Sequence, residues 1–216
     1  IGSGVYGSAL AMDKVIAKTH FQKAKIPTAK FITFNMHDKH KPSYDDVCKE
    51  LGNTFYIKPS CLGSSIGINK VSNKQMFENA VNAAFKFDSK LIIEEEIKGR
   101  EIEIALLGNN NPKASLPGEV RVKSNFYSYE AKYKNKDDAQ LLIPTSLSDK
   151  EYNELKHLAI KAFRALSCKG MARVDFFLTK EGWMINEINT IPGFTDISMF
   201  PSLWCATGLS YSKLID

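Results

Sequence analysis

The stretch MARVDFFLTKEGWMINEINTIPG, residues 171–193, constrains this chain more than any other. Residues 171–178 and 183–188 are apolar and β-prone, and the Thr-Lys-Glu-Gly between them has the composition of a hairpin connection. A three-residue loop over 180–182 would set Thr179 opposite Trp183, Asp175 opposite Glu187 and Arg173 opposite Asn189. Residues two apart on a strand share a face, and so do directly opposed residues, so Arg173, Asp175, Glu187 and Asn189 are expected on one patch. Two carboxylates opposed across a ladder repel unless a cation lies between them. Hard oxygen ligands of this kind suit Mg²⁺, which takes one or two carboxylates and fills its shell with water and phosphate oxygens. A neighbouring arginine suits a phosphate or an oxyanion. The plainer alternative is an edge hairpin with a wet polar face. The apolar flanks, the asparagine and the following Thr190-Ile191-Pro192-Gly193 turn weigh against it.

A length of 216 residues allows one large domain or two small ones. No apolar run has the length of a membrane span, and no signal-peptide pattern is present. The net charge of +5 is spread along the chain without a basic block, which argues weakly for anionic ligands and poorly for nucleic acid. Cys48, Cys61, Cys168 and Cys205 are widely spaced, form no CxxC pair, and fit a reducing cytosol better than a zinc site or a disulfide framework. The first residue is Ile1 rather than Met, as expected of a piece of a longer protein.

In chain order, the glycine-rich residues 1–7 read as a loop and 8–25 as one helix, with Ser8 as its N-cap. Residues 31–34 read as a strand, 45–51 as a short helix and 55–58 as a strand ending at Pro59. The following Ser60-Cys61-Leu62-Gly63-Ser64-Ser65-Ile66-Gly67 is a small-residue loop whose backbone N–H groups and hydroxyls could converge on phosphate, flanked by Lys58 and Lys70. It lacks the P-loop spacing, and a plain hairpin connection is the alternative. Ser72 with Gln75 forms a capping-box pattern opening a helix to about Phe87. The run at 91–93 is a buried strand, followed by Glu94-Glu95-Glu96-Ile97 as a hinge or plain surface, and 98–100 is the best domain boundary. Residues 101–107 alternate as a half-buried strand, and 113–122 form a strand interrupted at Pro117-Gly118. The aromatic, charged segment 126–138 reads as partial packing or as a lid. Ser148 with Glu151 caps a helix to about Ser167, which ends at Cys168-Lys169-Gly170, and helices follow over 201–206 and from Tyr211.

Six runs stand in a recognisable order: GSGVYGSALAMDK (2–14), KPSCLGSSIGINKV (58–71), IIEEEIKGREIEIALLG (92–108), YSYEAKY (127–133), RVDFF (173–177) and NEINTIPGFTDISMFP (186–201). Together they closely resemble the D-alanine–D-alanine ligase family of ATP-grasp enzymes, over essentially the whole chain. The resemblance implies an α+β ATP-grasp fold, with two α+β subdomains clamping ATP between antiparallel sheets. It assigns 1–98 to a central subdomain and 99–216 to a C-terminal one, without the family's N-terminal domain. It implies that Lys14 and Lys58 contact ATP phosphates, that Ser65 and the 63–65 backbone close over them, and that Lys132 reaches the γ-phosphate. Glu94, Glu95 and Ile97 form the adenine hinge, and Glu101 binds the ribose. Asp175, Glu187 and Asn189 hold two Mg²⁺ ions, with Mn²⁺ able to substitute. Arg173 and the Gly193 N–H stabilise an oxyanion, and Ser198 and Met199 bind the carboxylate of the second amino acid. Ser64 and Tyr133 join a glutamate of the absent domain in orienting the first. The implied activity is ATP-dependent joining of two D-alanines through a D-alanyl phosphate, for peptidoglycan and cell-wall synthesis, by a cytoplasmic homodimer. The alternatives are a sister ligase taking D-serine or D-lactate second, and an inactive ATP-binding fragment; Tyr133 within EAKY speaks against the depsipeptide-forming kind, while D-serine selectivity would lie at Met199 and residues 194–197.

Overall fold

The alternating pattern around the hairpin resolves into the two strands at one side of a large antiparallel sheet. The structure is a computed structural model and describes residues 2–122, 139–195 and 197–216. The chain divides into two units, one of Ile1–Ala11, Ala17–Thr28 and Lys98–Asp216, the other of Met12–Ile16 and Ala29–Ile97. The chain thus passes between units at 97/98, and 17–28 fold with the later residues rather than with 29–97.

In the first unit the described strands are β5 (Arg100–Leu107), β6 (Lys113–Ala114), β7 (Gly118–Val122), β8 (Ala139–Leu142), β9 (Met171–Thr179) and β10 (Gly182–Asn189). They run in the order β10-β9-β5-β7-β8, all antiparallel, with β6 on β5. One face carries Ile102, Ile104, Val174, Phe176, Trp183, Ile185 and Ile188. It is covered by α5 (Asp149–Ala165), through Leu155, Leu158, Ala159, Ala162 and Phe163, and by Ala17 and Phe21 of α2 (Lys14–Lys23). Each large apolar side chain buried here contributes about 1.5–3 kcal/mol. On the other face α6 (Met199–Ala206) places Met199, Phe200, Leu203 and Trp204 against Ala105 and Val120, leaving a polar strip beside it.

The second unit is a four-stranded antiparallel sheet ordered β1-β4-β2-β3, from β1 (Phe31–Asn35), β2 (Phe55–Pro59), β3 (Asn69–Val71) and β4 (Lys90–Glu95). Helices α3 (Tyr44–Leu51) and α4 (Lys74–Ala84) cover one face through Val47, Leu51, Phe77, Ala80 and Ala84, packed on Phe34, Phe55, Ile57, Leu91 and Ile93. The four cysteines are free, and among the described residues no helix is long and apolar enough to cross a membrane.

Local chemistry moved several element ends from where the sequence places them. Residues 8–25 are not one helix: α1 (Val5–Met12) stops and α2 starts anew, because the Asp13 carboxylate accepts the N–H groups of Val15 and Ile16 at 3.0 and 3.1 Å. Ser8 lies inside α1, where its N–H donates to the Gly4 carbonyl. Asn73, not Ser72, caps α4, its side chain accepting the Met76 N–H at 2.9 Å, and α4 ends at Ala84. Ser148 and Glu151 form the capping box read from the sequence. The exit from α5 uses Ser167 at φ 53°, rather than Gly170. Gly170 (φ 73°) serves a close approach instead, since a Cβ there would lie 2.6 Å from the Gly2 nitrogen.

At the 98–100 boundary, Arg100 enters a polar knot. Glu119, only 3% exposed, accepts bonds from Arg100 Nη2 at 2.6 Å, Thr145 Oγ1 at 2.7 Å and Arg121 Nε at 2.9 Å. Burial raises its pKa, but the bonds from Arg100, Arg121 and Thr145 outweigh burial and hold it at about 2 against an ordinary 4.5. A depressed carboxylate stabilises the fold above its unfolded pKa, and that contribution is lost as pH falls from 4.5 towards 2. The shift corresponds to roughly 3 kcal/mol. Glu119→Gln should lower the melting temperature at pH 7 by about 5–10 °C. The gap between variant and parent should close in melting curves taken stepwise down to pH 2; a gap independent of pH would refute the assignment.

Candidate functional site

The hairpin brings the expected residues together by a different route. The turn is two residues, Lys180 and Glu181, with Gly182 paired to Thr179, so Trp183 faces Leu178 rather than Thr179. One extra residue, Asn186, then bulges between Ile185 and Glu187 and shifts the register, so that Glu187 faces Asp175 and Asn189 faces Arg173. The bulge has a packing cause. Trp183, Ile185 and Ile188 are all buried in the core. Their spacing of two and then three residues fits one face only if one residue is absorbed between them.

Strand β5 extends the row. Glu103 pairs with Asp175 on the side opposite Glu187, and Ala105 pairs with Arg173. Three carboxylates thus stand in register across three strands with one guanidinium among them. Arg173 Nε donates to Asp175 Oδ1 at 2.8 Å and Nη2 to Asp175 Oδ2 at 2.7 Å, the bidentate geometry of a strong pair. Glu103 Oε2 also lies 2.8 Å from Nε. The three side chains are only 14–18% exposed. Burial lowers the arginine's pKa, but the charges of Asp175, Glu103 and Glu187 outweigh it and raise the pKa overall. Among the described residues no three Asp, Glu, His or Cys side chains converge as a preformed metal cage. The donor set of Asp175, Glu187 and Asn189 nevertheless fits Mg²⁺, which needs one or two carboxylates and completes its shell with water and phosphate.

The next turn follows on the same chain. A Cβ on Gly193 would lie 2.8 Å from Ser198 Oγ, so glycine is what lets the turn close on Ser198. Ser198 Oγ accepts the Thr195 N–H at 3.0 Å and shares a bond with Thr195 Oγ1 at 2.8 Å. Met199, the first residue of α6, buries its side chain beside Phe200 and Leu203. What it offers a ligand is therefore its backbone N–H at a helix start. Glu101 lies on β5 two residues before Glu103, on the same face, and is half-buried.

In the other unit the small-residue loop is conformationally strained. Ser64 and Ser65 both have positive φ, 56° and 58°, and Gly67 follows at 73°. Two consecutive serines in the left-handed region cost of order 1–3 kcal/mol each, and such conformations concentrate at binding sites. Lys14 is tied to this loop: its N–H donates to the Ser60 carbonyl at 2.9 Å and its Nζ to the Leu62 carbonyl at 2.5 Å. Asp13 holds the arrangement, accepting from Ser60 Oγ at 2.8 Å and pairing with Lys90 while it caps α2. Lys58 pairs with buried Glu94 on the sheet. Glu95 accepts the Lys30 N–H at 2.7 Å, and half-buried Ile97 lies just past β4. Lys132, Tyr133 and the whole lid segment 126–138 lie outside the described residues.

Sequence reading missed Glu103 and Asp13. Glu103 was available in the alternation Glu101-Ile102-Glu103-Ile104, which puts both glutamates on one face. Asp13 was hidden because a continuous helical pattern masked its capping role.

The family model described as D-ala D-ala ligase C-terminus matches residues 20–216. The D-alanine–D-alanine ligase of Oceanobacillus iheyensis is 48% identical over all of this chain and 59% of its own length. D-alanine–D-alanine ligase A of Escherichia coli K12 is 45% identical with the same coverage. Among solved structures, the D-alanine-D-alanine ligase from Coxiella burnetii matches all of this chain and 58% of its own at a TM-score of 0.84 and 38% identity. The VanG D-Ala:D-Ser ligase from Enterococcus faecalis matches all of this chain and 63% of its own at 0.90 and 34%. The chain spans about three fifths of the length of the curated relatives it matches. With this fold, this motif order and this similarity, the chain belongs to the D-Ala–D-Ala ligase C-terminal family, on an ATP-grasp fold.

Proposed function

We propose that this chain carries the nucleotide-, metal- and second-substrate-binding parts of an ATP-dependent ligase that joins two D-alanines for peptidoglycan synthesis. The observation that carries this reading is the row Asp175–Glu187 with Asn189 and Arg173 on one sheet face, followed directly by the Gly193–Ser198 turn. Units divided near residue 98, a homodimer and a cytoplasmic location belong to the same proposal.

A carboxylate is a poor electrophile, and transfer of the γ-phosphoryl of ATP to the first D-alanine would convert it to an acyl phosphate with a good leaving group. Lys14, Lys58 and Lys132 would bind the phosphates, and Ser65 with its loop backbone would cover them. Glu94, Glu95 and Ile97 would hold adenine and Glu101 the ribose. Asp175, Glu187 and Asn189 would hold Mg²⁺, or Mn²⁺ in its place, whose charge neutralises the transferring phosphoryl group when bound. Ser64 and Tyr133 would orient the first amino acid, and Ser198 with the Met199 N–H would take the carboxylate of the second. As the second amine attacks, Arg173 and the Gly193 N–H would meet the developing negative charge, where one such donor contributes about 3–4 kcal/mol. Exclusion of water matters because an acyl phosphate hydrolyses.

Two measurements test this. The intact protein should release ADP with Mg²⁺ and ATP only when D-alanine is present. Glu187→Gln should lower that rate by about a hundredfold or more while its melting curve stays near the parent's; near-normal turnover would remove Glu187 from the metal site. With D-alanine, D-serine and D-lactate offered as second substrate, the D-alanyl-D-alanine product should dominate. A preference for D-serine would move the assignment to a sister activity, and nucleotide binding without turnover would leave only a binding fragment.

A further inference from the structure

Arg173 faces more negative charge than a single arginine needs. Asp175 holds it through two bonds, yet Glu103 presents an oxygen at the same 2.8 Å from Nε. The fold directs Glu103 to that place. On its other side its cross-strand neighbour is Gly118, and the space a side chain would take there is filled by Leu203 and Met199, 2.9 Å from a would-be Cβ. With that space filled, Glu103 leans towards Arg173 and Asp175. This matters because Asp175 has two claims on it, the guanidinium and a cation. An oxygen committed to a guanidinium N–H gives less to a metal, and a half-buried arginine deprived of its carboxylate is left as an uncompensated charge.

We infer that Glu103 is a positioning residue that takes over Arg173 when Asp175 turns to the metal, so that metal binding and a fixed oxyanion donor do not compete for one carboxylate. This rests on the reading of Asp175 as a metal ligand given above, and neither the row's register nor the family match assigns Glu103 such a role. Two carboxylates on two strands thus share one arginine, and the metal decides which holds it.

The test is a double-mutant cycle on Glu103 and Arg173, read by calorimetric titration of the intact protein with adenylyl imidodiphosphate over a range of MgCl₂. No turnover is needed. Glu103→Gln should raise the Mg²⁺ concentration for half-maximal binding about tenfold, because Asp175 must then stay with the arginine. In an Arg173→Met background, where no arginine competes, the same substitution should move it less than about twofold. An equal shift in both backgrounds would mean that Glu103 acts as a bulk charge or a direct ligand, and no shift in either would mean that it is structural; both overturn the inference. Where Glu103→Gln does not fold, Glu103→Asp enters the same cycle and the same outcomes apply. If binding to the parent does not depend on Mg²⁺, the metal reading itself falls, and this inference with it.

Discussion

A guanidinium set among three carboxylates inside a sheet is acceptable only if every charge has a neighbour of opposite sign at hydrogen-bond distance. The antiparallel register of β5, β9 and β10 supplies those neighbours for Arg173, Asp175 and Glu103. Register fixes the row Glu103–Asp175–Glu187 and, one pair along, the row Ala105–Arg173–Asn189. The apolar residues between them, Ile104, Val174 and Ile188, all point to the opposite face and into the core. The packing that stabilises the sheet is therefore the same constraint that keeps the charged groups in position. A slip of one residue would bury the carboxylates and expose the core together, so stability guards the site.

The second unit uses a different device. Its small-residue loop is irregular, with two serines in a disfavoured backbone region, and cannot be held by a ladder. It is held by side chains instead. Asp13 links the start of α2, the Ser60 hydroxyl and Lys90 through one carboxylate, and Lys14 rests on the loop carbonyl next door. The strain in the loop is offset by charged hydrogen bonds to rigid elements on either side.

Much of this was legible in the sequence because the relevant residues sit in periodic segments. The strands at 171–179 and 182–189 announced themselves by composition, and Ser148 with Glu151 announced its helix start by chemistry. What failed to show were features decided by competition between near-equal neighbours. Ser72 and Asn73 are both good caps, and only the geometry of Met76 chose the second. Asp13 interrupted a helical pattern that its own side chain was better used to restart. Glu103 is visible in the alternation as a residue on the face of Glu101, but one strand cannot say that it meets an arginine on the next. The contribution of Lys132 and Tyr133 rests on motif alone.

The bulge at Asn186 separates the length of the hairpin from the chemistry at its base. A three-residue turn with no bulge and a two-residue turn with one bulge contain the same number of residues between Asp175 and Glu187. Both therefore deliver those two carboxylates to the same pairing. The extra residue is not free in its position: moved to the turn it would leave the charged row in place but rotate Trp183 and Ile185 out of the core, so burial of those two side chains pins it at Asn186. Only the exposed tip, Lys180 and Glu181, is left free to vary in sequence while the row of carboxylates stays where the core puts it.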